Sequence, residues 1–272
     1  FLRPVTFRQV QTFEEFKEAM HLVYMEYLRR GYTIPNTSEL RLSLFNALPS
    51  STTFIAHHRQ AGIIGTVSTI TDSPLGLPMD EIYKSELDQL RAGGSKLAEA
   101  SLLALDNTLF GSGVFTMFQP KKLMLTLRLF KVMLEYLETC TPTEEIVACF
   151  NPKHQILYDF LQLQPLGGLK TYSGANGKPA LARHLNIPYT RENMHKHPAG
   201  ALFPKKARPE DFGEHLQFSL DNLRELFVED TQLFASASPS EFGHIQNCYP
   251  DYPLYAMRQE AIQRETPPGN TL

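Results

Sequence analysis

A chain of 272 residues, 42% of them hydrophobic, is long enough to bury a substantial core, either as one large domain or as one ordinary domain with an extension. Its 26 basic and 29 acidic residues leave a formal charge of −3, which offers nucleic acid no general attraction. Cys140, Cys149 and Cys248 are too few and too far apart for a disulfide framework or a zinc knuckle, no window reaches the length of a membrane span, and the start FLRPVTF lacks a signal-peptide pattern, so a cytoplasmic enzyme is expected.

In chain order, VTFRQVQ alternates like a short strand. TFEEFKEAMHLVYMEYLRRGY then opens on a capping-box pair, Thr12 with Glu15, and carries Phe13, Phe16, Met20, Val23, Tyr24 and Tyr27 at helical spacing. A polar connector leads to a second short helix expected over Glu39–Leu48. TTFIAHH and GIIGTVSTITD read as a hairpin joined by RQAG. After the SPLGLP turn a helix is expected with Asp80 as its cap, Tyr83, Leu87 and Leu90 as its packing face and Gly93 as its stop. There follow a strand over Leu97–Leu105, a glycine-bearing loop, and a long helix from about Pro120 with Leu123, Leu127, Phe130, Leu134 and Leu137 as its stripe. EEIVACF is a buried strand, NPKHQILYDFLQ a short helix, and LKTYSGANGKPALARHLNI a hairpin. The mixture predicts α/β or α+β layering over residues 1–188, and the polar, proline-dotted remainder with its SLDNLRELF helix predicts a helical extension over 189–272 packed on that domain.

One residue in this pattern is out of place. Glu99 sits inside the apolar strand Leu97–Leu105, where desolvating a lone carboxylate costs several kcal/mol, by order of magnitude about 3–5, unless it is paired or reactive. Two accounts stand side by side: a general base whose pKa burial raises toward neutrality, or a structural ion-pair partner of Arg30 or Arg41.

The element order, with Asn151 at a strand end and Tyr158 seven residues on, resembles the GNAT acyltransferase fold. The blocks VYMEYLRRGYTIP and FIAHHRQAGIIGTVSTITDSPLGLPMDEIYKSELDQLRAGGSKLAEASLLALD resemble the long-chain N-acyl amino acid synthases of the FeeM type, relatives of the acyl-homoserine lactone synthases. The likeness is tight over Val23–Asp106 and looser to Pro188. It implies a mixed, mostly antiparallel sheet flanked by helices. It also implies transfer of a fatty acyl group from an acyl carrier protein to the amine of an amino acid or similar small amine, with acyl-phosphopantetheine or acyl-coenzyme A as donor and no permanently bound cofactor. The lactone synthases carry Glu-x-Ser-Arg on this strand; here Glu99, Ala100, Ser101 and Leu102 stand in its place, without the arginine.

By the same resemblance, backbone amides around Leu102 and Leu103 bind the thioester carbonyl at a bulge, and Gly111 and Gly113 occupy the phosphate-loop position, without the arginine that coenzyme A recognition uses. Lys121, Lys122, Arg128 and Lys131 lie where an acidic carrier could dock. Tyr158 can protonate the leaving thiolate or simply anchor its helix beside Phe160; Ser101 can bond substrate or satisfy the sheet. Arg29, Arg30 or Arg41 can clamp a substrate carboxylate or stand solvated. Asp72 and Asp80 frame the SPLGLP loop, Asp72 as a substrate contact. Phe54, Ile64, Val67, Leu75 and Met79 can line an acyl tunnel or be plain core. His195 and His197 stand in a proline-flanked loop and read as surface residues, so no metal is expected. Two other functions fit the same fold: a non-catalytic module that binds acyl chains or carriers, and a coenzyme A-dependent acetyltransferase.

Overall fold

In the computed structural model, which describes residues 4–110, 120–194, 197, 200 and 207–265, all seven expected strands form. They are β1 (Val5–Gln9), β2 (Ser51–His58), β3 (Gly62–Thr71), β4 (Leu97–Leu105), β5 (Glu145–Phe150), β6 (Gln164–Tyr172) and β7 (Lys178–Asn186). They make one sheet in the order β1-β2-β3-β4-β5-β7-β6, antiparallel throughout except between β4 and β5. Parallel neighbours need a crossover, and the helix α3 (Pro120–Cys140) lies within this one. Gly62 closes the β2–β3 turn at φ 71°, and a Cβ there would lie 2.6 Å from Glu18 Oε1, the oxygen that accepts the Ile63 N–H.

α3 covers one face of the sheet. Leu125, Leu129, Met133 and Leu137 are its innermost residues, packed with Phe54, Ile64, Ala98 and Ile146. Each such side chain contributes about 1.5–3 kcal/mol by burial, against less than ~1 kcal/mol for an exposed pair, so apolar packing is what seats α3. On the opposite face α2 (Asp80–Ala92) packs Tyr83 and Leu87 against Ile70, Leu97, Val147 and Ala182. α1 (Phe13–Arg30) packs Phe16 and Met20 with Phe218, Leu226 and Phe227 of the C-terminal segment. Among the described residues no helix is long and apolar enough to cross a membrane.

Two expectations are corrected. The segment expected as a helix over Glu39–Leu48 is irregular, with Glu39 at φ 53°, and holds only a 3-10 turn, Leu44–Ala47. Local side chains take the backbone groups a helix would need: Asn36 Nδ2 donates to Leu40 O at 3.1 Å, Leu40 N to Ser38 Oγ at 3.3 Å, and Ser43 N to Asn46 Oδ1 at 2.8 Å. Asp80 is the first residue of α2, after Met79, and its carboxylate accepts the Leu77 N–H at 2.7 Å while Arg91 grips it at 2.6 Å. Position 188 lies inside a short helix, α5 (Ile187–Asn193), whose N-cap is Asn186.

The cap on α1 forms as expected at Thr12, whose side chain accepts the Glu15 N–H at 3.2 Å. Glu15 itself turns to Arg8, at 2.6 Å, and to the Gln11 N–H. The Arg8 hydrogen bond holds the Glu15 carboxyl at about 2, below its ordinary 4.5. A depressed carboxylate adds stability that is present above its unfolded pKa and is lost as pH falls toward the folded one. Melting temperature is therefore expected to fall between pH 4.5 and 2 more steeply in the wild type than in Arg8→Met; parallel curves would show that the pair adds nothing.

Candidate active site

Two local events open the sheet at its centre. β4 and β5 are paired only over Leu97–Glu99 against Glu145–Val147, although β4 runs on to Leu105 and β5 to Phe150. Among the described residues β4 has no strand partner on that edge from Ala100 onward. On its other edge Thr66 pairs with Ala104 and Ser68 with Ser101, so Val67 faces both Leu102 and Leu103 across a bulge, and Leu102 takes φ 53°. A leucine in the left-handed region costs about 1–3 kcal/mol, held by its surroundings. The bulge also shifts the alternation: Ala98 and Ala100 face the α3 core before it, Leu103 and Leu105 after it.

Between the parted strands lies a cavity of about 840 Å³, within the size range of small-molecule sites. Its walls come from both faces of the sheet. Tyr27, Arg41, Pro78 and Glu99 stand on the α1 and α2 side; Leu123, Phe130, Leu157 and Tyr158 stand on the side of α3 and of α4 (Gln155–Phe160).

Glu99 is 3% exposed and its Oε2 accepts the Met79 N–H at 2.8 Å. Burial raises its carboxyl to about 8, the Asp80 charge adds to the rise, and the Met79 bond opposes it. Among the described residues it has no ion-pair partner: Arg30 turns to Glu26 at 3.4 Å, and Arg41 Nη2 donates to Gly174 O at 2.5 Å. Of the two accounts of this residue, the structural ion pair is not formed. Among the described residues the buried atoms Arg41 Nε, Tyr32 Oη and His154 Nδ1 have no hydrogen-bond partner, and all three residues line the cavity. An unsatisfied buried polar atom costs about 1–3 kcal/mol, so three around one cavity fit a ligand that carries polar groups. Burial, then Arg30 and Lys153, pushes His154 down to about 4, which leaves a neutral imidazole at pH 7.

Tyr158 both anchors and lines. Its ring stacks on Phe150 at 3.6 Å and meets Phe130 edge-on, while burial raises its phenol above the ordinary tyrosine value, so it holds its proton at neutral pH. Ser101 lies in the cavity wall opposite Ser68.

Several predicted site residues lie elsewhere. Asp72 is outside the cavity wall, its carboxylate held by Arg91 at 2.7 and 3.0 Å, so its charge is spent on joining the loop to α2. Lys122 is 5% exposed and lines the cavity, its ammonium on Asn107 and over the Phe110 ring; it is no part of an external docking face. Lys121 and Arg128 are exposed on α3, Arg128 over the Phe7 ring, and Lys131 is half-buried. Gly111, Gly113 and His195 lie outside the described residues. Of the apolar tunnel candidates only Val67 lines the cavity; Phe54, Ile64, Leu75 and Met79 belong to the core clusters. Among the described residues no three side chains are grouped as a metal would need.

The position of Lys122 was available from helical arithmetic. It falls on the stripe with Leu125, Thr126, Leu129 and Met133, just as Glu26, 1% exposed, follows Ala19 and Val23 at seven and three residues. Glu26 binds Arg29, Arg30 and the Asn107 N–H, which makes one polar chain from α1 through Asn107 to Lys122.

A seven-stranded sheet in this order, parted between its one parallel strand pair with a bulge beside the gap, is the GNAT fold expected from the sequence. Residues 18–186 match the family model of the N-acyl amino acid synthase FeeM. The solved structure of FeeM, an N-acyl amino acid synthase from uncultured soil microbes, is 33% identical over 69% of this chain and 93% of its own, with a TM-score of 0.58. The chain belongs to the FeeM N-acyl amino acid synthase family. BjaI, a coenzyme A-dependent acyl-homoserine lactone synthase, shares the fold at 9% identity over 90% of this chain and all of its own, with a TM-score of 0.50. Among curated proteins none matches this chain.

Proposed function

We propose that this N-acyltransferase joins a long-chain acyl group, carried as a thioester on acyl carrier protein, to the amine of an amino acid. The observation that carries this reading is the unpaired Glu99 carboxylate on the wall of a largely apolar cavity in the β4–β5 gap. The fatty chain lies in the gap, with its carbonyl at the backbone of Leu102 and Leu103, where donors stabilise the developing oxyanion. Glu99 takes a proton from the attacking amine, directly or through water. The C–N bond forms, the C–S bond breaks, and Tyr158 gives the departing sulfur its proton. Arg41, whose Nε is unmatched, and Arg30 on the same wall bind the acceptor's carboxylate. Ser101 adds a hydroxyl from β4.

Incubating the protein with a charged long-chain acyl carrier and a mixture of amino acids tests this directly. Amide formation by mass spectrometry is the expected result; binding without turnover, or turnover with acetyl-coenzyme A alone, would contradict it. The carrier is placed on the exposed face of α3, where Lys121 and Arg128 flank the 43% exposed Met124. Charge reversal at Lys121 and Arg128 is therefore expected to raise KM for the carrier-bound donor by about 10-fold or more, as loss of complementary charge at an interface does, and to leave a small synthetic thioester unaffected. Equal loss with both donors would remove the carrier from this face.

A further inference from the structure

The peptide group between Pro78 and Met79 is held at both ends. Its N–H, on Met79, donates to Glu99 Oε2 at 2.8 Å, and its C=O, on Pro78, accepts from Tyr172 Oη at 3.2 Å. Tyr172 is the last residue of β6, on the far side of the gap from β4, and it lines the same cavity. Its ring is wedged in place: a Cβ on Gly174 would come within 2.7 Å of the ring carbons and 3.0 Å of the hydroxyl. The carbonyl of that same Gly174 accepts from Arg41. The turn after β6 thus reaches Glu99 by one route and Arg41 by another.

We propose that Tyr172 is a positioning residue for Glu99, acting through the Pro78–Met79 peptide group that the phenol and the carboxylate grip from opposite ends. The proposal rests on the reading of Glu99 as the general base. Hydrogen bonds in a chain polarise one another. A phenol donating to the Pro78 carbonyl makes the Met79 N–H a stronger donor, and a stronger donor favours the charged form of the carboxylate. Tyr172 thereby offsets part of the desolvation that burial imposes on Glu99 and fixes which carboxylate oxygen is engaged, leaving the other for the amine. The ionisable groups nearest Glu99 are Asp80 of α2, Cys149 of β5 and Tyr27 of α1, and the same cavity wall carries Glu81, Arg30, Tyr32, Arg41, Lys122, Lys153, His154, Tyr158 and Lys178. None of these is exchanged when the Tyr172 hydroxyl is removed.

The test is a titration of the Glu99 carboxyl by pH-difference infrared spectroscopy on protein with 13C-labelled glutamate, the Glu99 band being assigned by its loss in Glu99→Gln. The pH profile of kcat/KM is measured alongside it. In Tyr172→Phe the carboxyl midpoint is expected to rise by about half a unit or more, with the ascending limb of the rate profile moving by the same amount. Gly174→Ala, which keeps the hydroxyl but displaces the ring, is expected to shift the midpoint in the same direction, so the outcome does not depend on one variant. A midpoint unchanged in both variants overturns the positioning role, whatever happens to the rate. A midpoint that moves while the rate limb stays put upholds the positioning role and shows instead that Glu99 is not the base.

Discussion

Replacing Glu99 by glutamine lowers turnover by about 100-fold, the usual worth of one general base, in a protein that melts no lower than the wild type. Fold and function separate cleanly here because the amide oxygen of glutamine can still accept the Met79 N–H that Glu99 Oε2 accepts, and because the side chain has no ion pair among the described residues to lose. The wild-type rate is expected to climb as pH rises through about 8, where the carboxyl loses its proton, and the carboxyl's share of that limb is expected to be absent from the variant, leaving the amine's own. An acceptor amine titrates in the same range, so the assignment rests on the difference between the two profiles. Near-normal turnover in a well-folded Glu99→Gln protein would remove the carboxylate from the chemistry.

Arg41→Ala raises the KM for an amino acid acceptor by about 30-fold or more, since removing one partner of a buried charge pair costs about 2–5 kcal/mol. Among the described residues the guanidinium is held by one carbonyl, that of Gly174, and its Nε is buried without a partner, so it is oriented but not saturated. Arg30 is the less suited of the two, being already drawn toward Glu26. An acceptor amine without a carboxylate distinguishes a clamp from a structural support. If the clamp assignment is right, Arg41→Ala changes its KM little, whereas equal losses for both acceptors would mean that Arg41 only holds the β6–β7 turn in place.

Much of the fold could be read from apolar spacing and turn chemistry. The limits of β4 follow from its mainly apolar run, broken by Glu99 and Ser101 alone, and α3 begins at Pro120, where a proline is tolerated in a first helical turn. The Glu39–Leu48 segment was misread because Asn36, Ser38 and Asn46 compete locally for backbone groups, an effect that hydrophobic periodicity does not register. In the site, Glu99 announced itself as a charge in an apolar strand. Asp72 misled because nothing local reveals that Arg91, nineteen residues on, folds back to neutralise it. Lys122 looked like one more surface cation among Lys121, Arg128 and Lys131, although its helical phase placed it inward. Tyr172 and His154 carried no sequence signal at all, since their roles depend on β6 and the start of α4 meeting the gap between β4 and β5. Long-range register, rather than local pattern, brings those groups together.

A crystal structure of the protein with a long-chain acyl thioester analogue is the most direct measurement. The expected density is a fatty chain lying between β4 and β5, its carbonyl at the Leu102–Leu103 bulge and within reach of an amine poised at Glu99. A chain bound elsewhere, or strands β4 and β5 paired along their full length with the Glu99 carboxylate turned into bulk solvent, would contradict it.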